Sequence, residues 1–409
     1  MKTVKFYTLG CKVNQYDTQS IRERFLSLGF KEIHNGRKAG TYLINTCTVT
    51  SVADRKSRDI IRRCIKENPR GRVIVTGCLA QNYDNSLSGI KGIDYVVGKR
   101  FFPAGISRFS GHTRAFLKIQ DGCDNFCSYC KVPLVRGRSR SRPLHEIIHE
   151  ARQLAQNGYK EIVLTGICLG SYGRDLKPET DLVKVIEALE NIEGLLRIRL
   201  SSIEAGDVSD KLINKMAESD KLCRHLHIPI QSGDNAILKK MNRKYSRDEF
   251  LKLIRKIKKQ VPGVAITTDC LVGFPTEKES NFRNTLDLVK KIAPARTHIF
   301  PYSKREGTSA ALSITDEVNP KSIKERILRL EGIAKGCAFS YKKNFLGKAA
   351  DVLIEGRSKE NADFWEGYTD TYIKVLLKSK DNLKNKMVRV RLKSMKKGHI
   401  FSDLFLYEC

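Results

Sequence analysis

The most restrictive feature of this chain is a short segment, residues 122–130, in which three cysteines fall close together as GCDNFCSYC. Cys123, Cys127 and Cys130 are separated by three and then two residues, so their thiolates can hold one corner of a four-iron cluster. A zinc site would need a fourth nearby ligand, and His112 and His145 do not stand at that spacing. The segment therefore predicts an iron–sulfur cluster with one iron left open to an outside ligand.

The rest of the chain alternates between strand-like and helical patterns, which predicts an α/β protein. Strands at 4–8, 42–44, 73–76 and 95–97, with helices between them, predict a parallel-sheet domain over 1–105. Strands at 115–119, 162–165, 198–201, 225–230, 265–272 and 298–301 predict a partial (β/α)6 barrel of the TIM type over 110–340, although a doubly wound open sheet fits the same pattern. Short strands after a helix at 322–346 predict a small antiparallel β-barrel over 341–409.

Three further cysteines stand at equivalent places in the first domain. Cys11, Cys47 and Cys78 each follow directly after a predicted strand. The ends of parallel strands with right-handed crossovers share one edge of the sheet, so three distant thiols can converge there. Taken singly, each cysteine fits a core position better than a ligand position. Taken together, they predict a second cluster, again held by three cysteines.

The segment 122–130 resembles the cluster motif of the radical S-adenosylmethionine (SAM) superfamily. With Cys11, Cys47 and Cys78, the whole chain resembles the radical SAM methylthiotransferases, which carry an auxiliary cluster in their first domain and end in an RNA-binding TRAM-like barrel. The resemblance implies two [4Fe-4S] clusters, each held by three cysteines, and SAM as the small-molecule cofactor. It also implies that SAM is contacted by Tyr129, Thr165, Gly166, Ser201, Glu204, Val272 and Gly273.

Within that family, the segment 10–17, GCKVNQYD, looks like the branch that acts on threonylcarbamoyladenosine in tRNA. The branch that acts on isopentenyladenosine typically has Gln-Met where Lys12 and Val13 stand here. The resemblance then implies conversion of N6-threonylcarbamoyladenosine at position 37 to its 2-methylthio derivative, with a flavodoxin or ferredoxin as electron donor and a separate sulfur donor. Methylthiolation of isopentenyladenosine or of a ribosomal protein side chain stays open, as does a non-catalytic iron–sulfur RNA-binding protein. Cys168 and Thr276 depart from the residues usual in the branch, His and Gly.

The charge of the chain also favours RNA. Lysine and arginine outnumber aspartate and glutamate by 75 to 45, a formal net charge of +30, and an ordinary basic surface is the alternative to a polyanionic partner. The arginines that follow the cysteine segment are predicted to bind RNA phosphates, or in one case to pair with a carboxylate of the substrate or of SAM: Arg136, Arg138, Arg140 and Arg142. Four aromatic residues of the tail fit either an RNA-stacking surface or the barrel core: Phe364, Trp365, Tyr368 and Tyr372.

No stretch of the chain approaches the roughly 18 uninterrupted apolar residues that cross a bilayer, and the polar start does not fit a signal peptide. We therefore expect a cytoplasmic protein with no membrane partner, and favour a monomer. Disulfides are rare in such a reducing compartment, so cysteines outside the two groups are expected to be small core side chains: Cys64, Cys223, Cys270, Cys337 and Cys409.

Overall fold

The first region is a parallel sheet, as expected, with five strands where four were predicted. The computed structural model describes residues 2–34, 36–82, 87–98 and 105–406, so the prediction for Cys409 lies outside the described residues. The strands are β1 (Thr3–Thr8), β2 (Lys31–Glu32), β3 (Thr41–Thr46), β4 (Arg72–Gly77) and β5 (Tyr95–Val96), in the order β2-β1-β3-β4-β5. Helices α1 (Lys12–Ser27) and α2 (Ser51–Glu67) connect them. Strand β3 is central and buried along its whole length, which fits its apolar run TYLINT.

The middle region is a partial barrel of six parallel strands, which confirms the predicted fold class. The strands are β6 (Ala115–Lys118), β9 (Glu161–Thr165), β10 (Arg197–Leu200), β11 (His225–His227), β12 (Ala265–Val272) and β13 (Arg296–Pro301). They pair in two sheets, β10-β9-β6 and β11-β12-β13, which single bridges such as Ser202 to His227 join. The spatial order therefore follows the chain order, which excludes the doubly wound alternative for this region.

Helices and a small hairpin complete the barrel. The helices are α3 (Val132–Arg136), α4 (Leu144–Gln156), α5 (Leu182–Glu190), α6 (Asp210–Glu218), α7 (Asn235–Lys240), α8 (Arg247–Gln260), α9 (Glu279–Ile292) and α10 (Ser309–Ser313). The hairpin pairs β7 (Gln120–Asp121) with β8 (Arg140–Ser141). One continuous apolar core lies between the strands and the surrounding helices, and Phe250 and Phe282 are among its largest fully buried side chains.

A long helix, α11 (Pro320–Lys343), leads to a closed five-stranded barrel. Its strands are β14 (Ala349–Arg357), β15 (Phe364–Thr369), β16 (Lys374–Lys378), β17 (Met387–Lys396) and β18 (His399–Leu406). The prediction of an antiparallel barrel is right for four of the five pairings, because β16 and β18 pair in parallel to close the barrel. Trp365 lies in its core, whereas Tyr368 and Tyr372 stack on each other outside that core.

The closed barrel sits against the amino-terminal ends of the middle strands. Arg197, the first residue of β10, donates to the Tyr368 carbonyl (3.0 Å), and Arg199 donates to the Thr369 carbonyl (3.1 Å). Glu161, the first residue of β9, is fully buried and accepts from Arg199 at 2.6 Å. The opposite, carboxyl-terminal ends of the strands are left for the loops that carry the cysteines. The predicted domain limits, 1–105, 110–340 and 341–409, stay predictions.

Within the described ranges, no helix combines the length and apolar character needed to cross a bilayer.

Candidate active site at the carboxyl ends of the strands

The three-cysteine loop leaves the hairpin strand β7 and enters helix α3, at the carboxyl end of β6. Gly122 opens it with φ of +75°, and a Cβ there would lie 2.0 Å from the Arg138 carbonyl oxygen, so only glycine fits. The Cys123 amide donates to the Gly137 carbonyl (3.1 Å), and the Cys130 amide donates to the Cys127 carbonyl (3.0 Å). These bonds fold the loop back on itself.

The three thiols of the loop lie close enough to affect one another's pKa. Burial, followed by the charges of Cys127 and Cys123, raises the pKa of Cys130 to about 12. The Asn125 amide stands 3.5 Å from the Cys123 sulfur, and Arg243 donates to the Cys127 sulfur at 3.3 Å. Three sulfur donors with N–H groups pointing at them suit a negatively charged iron–sulfur cluster, whose potential depends on such hydrogen bonds.

Among the described residues, no three Cys, His, Asp or Glu side chains close on a single metal ion. Each cysteine of a four-iron cluster binds a different iron, so its ligands need not share one ion. Cys123, Cys127 and Cys130 thus fit a cluster rather than a mononuclear centre.

The buried guanidinium of Arg243 and the partly buried carboxylate of Glu204 form an ion pair beside Cys127. Burial opposes the charge of Arg243, but the acidic groups around it, those of Tyr245, Tyr129, Glu204 and Cys127, raise its pKa well above the usual value. Sequence reasoning found Glu204 and missed Arg243, because a single arginine after a short helix carries no motif. A buried cation is therefore part of the site.

A second loop, after β9, is tied to the cysteine loop by Gln120. Its side-chain carbonyl accepts from the amides of Ile167 and Cys168, both at 2.9 Å, and its amide nitrogen donates to the Gly122 carbonyl (2.8 Å). Gly166 packs on the same side chain, since a Cβ there would lie 2.9 Å from its oxygen. Gln120 follows the predicted strand 115–119, but it was not identified from the sequence as a residue that joins the two loops.

Cys168 brings a fourth sulfur beside the loop. Its thiol is hydrogen-bonded with Cys123, which raises the pKa of Cys168 and lowers that of Cys123. Asn125 donates to the Cys168 sulfur at 3.4 Å, and Asp207 stands at the same distance on its other side. The second departure, Thr276, has φ of +71°, a left-handed conformation that costs a non-glycine residue about 1 kcal/mol.

The residues expected to contact SAM fall on the same edge of the barrel. Thr165 ends β9 and is buried, and Ser201 follows β10 with a buried hydroxyl that has no hydrogen-bond partner in the described structure. Val272 ends β12, and the Gly273 amide donates to Glu277 (2.9 Å). Tyr129 packs on the apolar cluster that contains Phe274. Their roles as SAM contacts stay predictions.

The first domain brings its own three cysteines to one sheet edge. Cys47 and Cys78 directly follow β3 and β4, and Cys11 stands three residues after the end of β1. A Cβ added at Gly10 would lie 2.8 Å from the Cys47 sulfur, so the backbone before Cys11 passes close to that thiol. Burial, and then the charges of Cys78 and Cys11, raise the pKa of Cys47 to about 11. The structure therefore gathers three thiols that the sequence separates widely.

Two of the arginines predicted to bind RNA are used inside the protein, which corrects that prediction. Arg136 is buried, pairs with Asp121 at 2.6 Å and also donates to Asn14 of the first domain. Arg142 pairs with Glu150 at 2.7 Å. A guanidinium that already satisfies buried carboxylates is not available to a phosphate.

The other two arginines are exposed. Arg138 has a side chain that is 76% exposed, pairs with Asp124 at 3.2 Å and lies over the Phe126 ring at 4.9 Å. Arg140 is exposed as well. The charge run crosses from a helix end into a short strand, and its first and last arginines turn inward while the two between them face solvent.

Comparison with known proteins agrees with this geometry. A family profile described as "Radical SAM superfamily" matches residues 117–289, and one described as "Uncharacterized protein family UPF0004" matches residues 3–98. The solved structure of the radical S-adenosylmethionine methyltransferase TsrM from Kitasatospora setae superimposes with a TM-score of 0.51 at 14% identity, over 76% of this chain and 77% of that chain. At that identity the likeness concerns the fold alone. The partial barrel and the cysteine loop define a radical SAM enzyme.

Two relatives narrow the class. The threonylcarbamoyladenosine tRNA methylthiotransferase MtaB of Bacillus subtilis is 40% identical over 98% of this chain and 96% of its own length. The tRNA-2-methylthio-N(6)-dimethylallyladenosine synthase of Caldicellulosiruptor saccharolyticus is 35% identical over 98% of this chain and 92% of its own. The chain belongs to the radical SAM tRNA methylthiotransferase family, and the radical SAM fold implies a [4Fe-4S] cluster and SAM.

Proposed function

We propose that this enzyme attaches a methylthio group to carbon 2 of N6-threonylcarbamoyladenosine at position 37 of tRNA, with SAM as both methyl donor and radical source. The threonylcarbamoyl substrate is named in the 40% identical relative, while several relatives at 34–36% identity are named for dimethylallyladenosine. Both kinds of relative are named for methylthiolation of an N6-substituted adenosine in tRNA. What distinguishes the substrates is the group on N6, since threonine brings a carboxylate and the dimethylallyl group is apolar.

Lys12 is the observation that carries the choice of substrate. It directly follows Cys11 as the first residue of α1, and it is exposed. In the part of the chain that the structure describes, its ammonium has no hydrogen bond or ion pair. Its charge helps lower the pKa of His298, after larger contributions from burial, Arg296 and His227. Burial raises the pKa of Tyr372, but Arg114 and then Lys12 outweigh it and lower that pKa, so the Lys12 ammonium lies near both rings. An unpaired cation next to Cys11 suits a carboxylate on the reacting nucleoside.

We further propose two clusters, one on Cys11, Cys47 and Cys78 and one on the barrel loop. Cys123, Cys127 and Cys130 would hold the cluster that supplies the electron for SAM cleavage, and Cys11, Cys47 and Cys78 would hold the cluster that supplies a site for the transferred sulfur. The chain's own contribution is to hold the two sites together. Arg136 does this, because it donates to Asn14 beside the first-domain thiols and pairs with Asp121, the last residue before the cysteine loop.

The two-cluster proposal is tested by iron and sulfide analysis of anaerobically reconstituted protein. We expect about eight irons per chain in the wild type and about four in Cys47→Ala and in Cys127→Ala. Cys64→Ala, a buried cysteine of the first-domain core, serves as the matched control and should keep about eight. An unchanged iron content in Cys47→Ala would rule out the first-domain cluster.

The substrate proposal is tested by mass spectrometry of nucleosides from tRNA treated with wild type and Lys12→Met. Wild type should form the 2-methylthio derivative of threonylcarbamoyladenosine, and Lys12→Met should raise the KM for that tRNA more than it lowers kcat. Lys31→Met, an exposed lysine in β2 of the same domain, is the control. Formation of only the dimethylallyl derivative by the wild type would contradict the proposal. A low-potential flavodoxin or ferredoxin, a separate sulfur donor and a cytoplasmic location belong to the same proposal.

A further inference from the structure

A cavity of about 290 Å³ lies where the closed barrel meets the amino-terminal ends of β12 and β13. Its wall combines three parts of the chain: Arg296 begins β13, Lys342 lies in the last turn of α11, and Lys374 and His399 begin strands of the closed barrel. The cavity is separate from the thiol sites. Thr267 lines it and lies five residues before Val272 at the other end of β12, which corresponds to ~17 Å along the strand.

The lining of this cavity is basic and contains no carboxylate. Lys374 pairs with Glu366 at 2.7 Å and His399 lies 3.4 Å from Glu360, so these two side chains have carboxylate partners outside the cavity. The other two basic groups are not neutralised in this way.

The side chain of Arg296 makes no hydrogen bond or ion pair with any residue that the structure describes. Lys342 donates to the Gly398 carbonyl (2.7 Å) and to no carboxylate of the described chain. Burial, and then the charge of Arg296, lowers the pKa of Lys342, so the two cations repel each other across the cavity. Two unneutralised like charges held together are stabilised by an anion placed between them.

Aromatic rings line the same cavity. Tyr368 and Tyr372 are stacked with centroids 5.1 Å apart, and the His225 ring lies 4.9 Å from Tyr372. Tyr372 has φ of +63°, a conformation that is strained for a bulky residue and is retained here at the junction. A cationic groove beside stacked aromatic rings is the arrangement with which proteins hold a nucleotide of a single-stranded or looped RNA.

We propose that this cavity binds a backbone phosphate of the RNA substrate, with Arg296 and Lys342 as its two ligands. This inference rests on the proposed function only in requiring an RNA substrate. β13 is the edge strand of its sheet, so the cavity opens beside the gap in the partial barrel.

The test measures binding of unmodified tRNA to the full-length protein over a series of salt concentrations. Removing two phosphate contacts in Arg296→Ala/Lys342→Ala should make the slope of log K against log salt shallower by about 1.4 to 1.8. The control Lys290→Ala/Lys335→Ala removes the same charge from exposed positions on α9 and α11 and should leave the slope unchanged. The single variant Arg296→Gln, at an exposed site, should lower the slope by about half as much and guards against misfolding of the double variant.

Equal slopes for the double variant and the wild type would overturn the proposal, as would an equal loss in the control pair. Adenosine monophosphate is the second probe. Its binding to the wild type in competition with tRNA supports the proposal, whereas binding without competition assigns the cavity to a free nucleotide and overturns it. The identity of the nucleoside product tests the proposed substrate separately, since wild type that modifies a different adenosine can still show the salt effect.

Discussion

The two ends of the six-stranded barrel are built from the same strands but in opposite ways. At the amino-terminal end, Glu161 is fully buried between arginines and held by Arg199, and the closed barrel covers them. At the carboxyl-terminal end, glycine-rich loops present thiols, and Arg243 is the buried cation that faces them. The amino-terminal end therefore contributes stability, whereas the carboxyl-terminal end presents thiol groups that can bind a cofactor.

The largest expected loss of stability comes from a substitution at the amino-terminal end of the barrel. Glu161→Gln removes the carboxylate that Arg199 contacts at 2.6 Å and that Arg114 and Arg197 approach at 3.9 Å, so buried like charges are left uncompensated. We expect the free energy of unfolding in urea to fall by about 4 kcal/mol. Glu355→Gln, a partly exposed partner of Arg114, should cost about 1 kcal/mol. Equal losses in the two variants would mean that burial of the carboxylate at this end has no special weight.

The next effect concerns the site end. Arg243→Ala leaves the partly buried Glu204 without its partner and removes the donor to the Cys127 sulfur, and should cost about 2 to 3 kcal/mol of stability. In the Cys47→Ala background, iron bound by the barrel loop should also fall. Arg243→Lys keeps the charge but loses the forked geometry, so it should recover the stability more fully than the iron. Full iron binding in Arg243→Ala would show that this cation does not support the loop.

A pH dependence of stability, of intermediate size, is expected from His225 at the amino-terminal end of the barrel. Burial, and then the charges of Arg199, His227 and Lys12, lowers the pKa of His225 well below 6.5. The unfolded chain takes up this proton near pH 6.5 and the folded chain does not, so stability present above pH 6.5 is lost as the pH falls.

We expect a loss of about 1.4 kcal/mol for each pH unit below 6.5, measured by urea unfolding at pH 7.5, 6.5 and 5.5. His225→Gln should flatten the curve by that amount. The pKa of His298 is also lowered, but that residue is present in both proteins and cancels in the difference. Identical pH profiles would mean that His225 is not held neutral.

The smallest effect on stability is expected at the exposed rim. Arg138→Ala removes an exposed pair with Asp124 and should change the free energy of unfolding by less than about 0.5 kcal/mol. If this arginine contacts a phosphate, the salt slope of tRNA binding should fall by about 0.7 to 0.9. Arg136→Ala, at a buried position, should instead destabilise the protein and leave the salt slope of tRNA binding unchanged.

Much of the fold could be predicted because it depends on local periodicity. The six barrel strands lie at their expected places, and β12 spans 265–272 as predicted. The parallel pairing of β16 with β18 was missed, because barrel closure depends on which edges meet and no local pattern encodes that. The short strand β2 was missed as well, since two residues carry no period.

The candidate site divides in a similar way. The barrel cysteines could be found from spacing alone, and the strand-end positions of Cys11, Cys47 and Cys78 could be read from the predicted strands. Arg136 and Arg142 were misassigned, because a run of arginines in the sequence shows that the segment is positively charged but not which side chains point into the protein. Arg243 and Gln120 were overlooked, because a buried polar residue is recognised by its partners and those partners lie far away in the chain.

By itself the sequence determined the order of strands and helices, the three-cysteine loop and the excess of positive charge, because each depends on neighbours in the chain or on simple counts. Only the tertiary structure decided which cations are buried, which strand edges close the barrel and which basic groups meet at the domain junction. The physical reason is that burial and charge pairing are set by contacts between residues distant in sequence, such as Arg136 with Asn14 or Arg199 with Thr369.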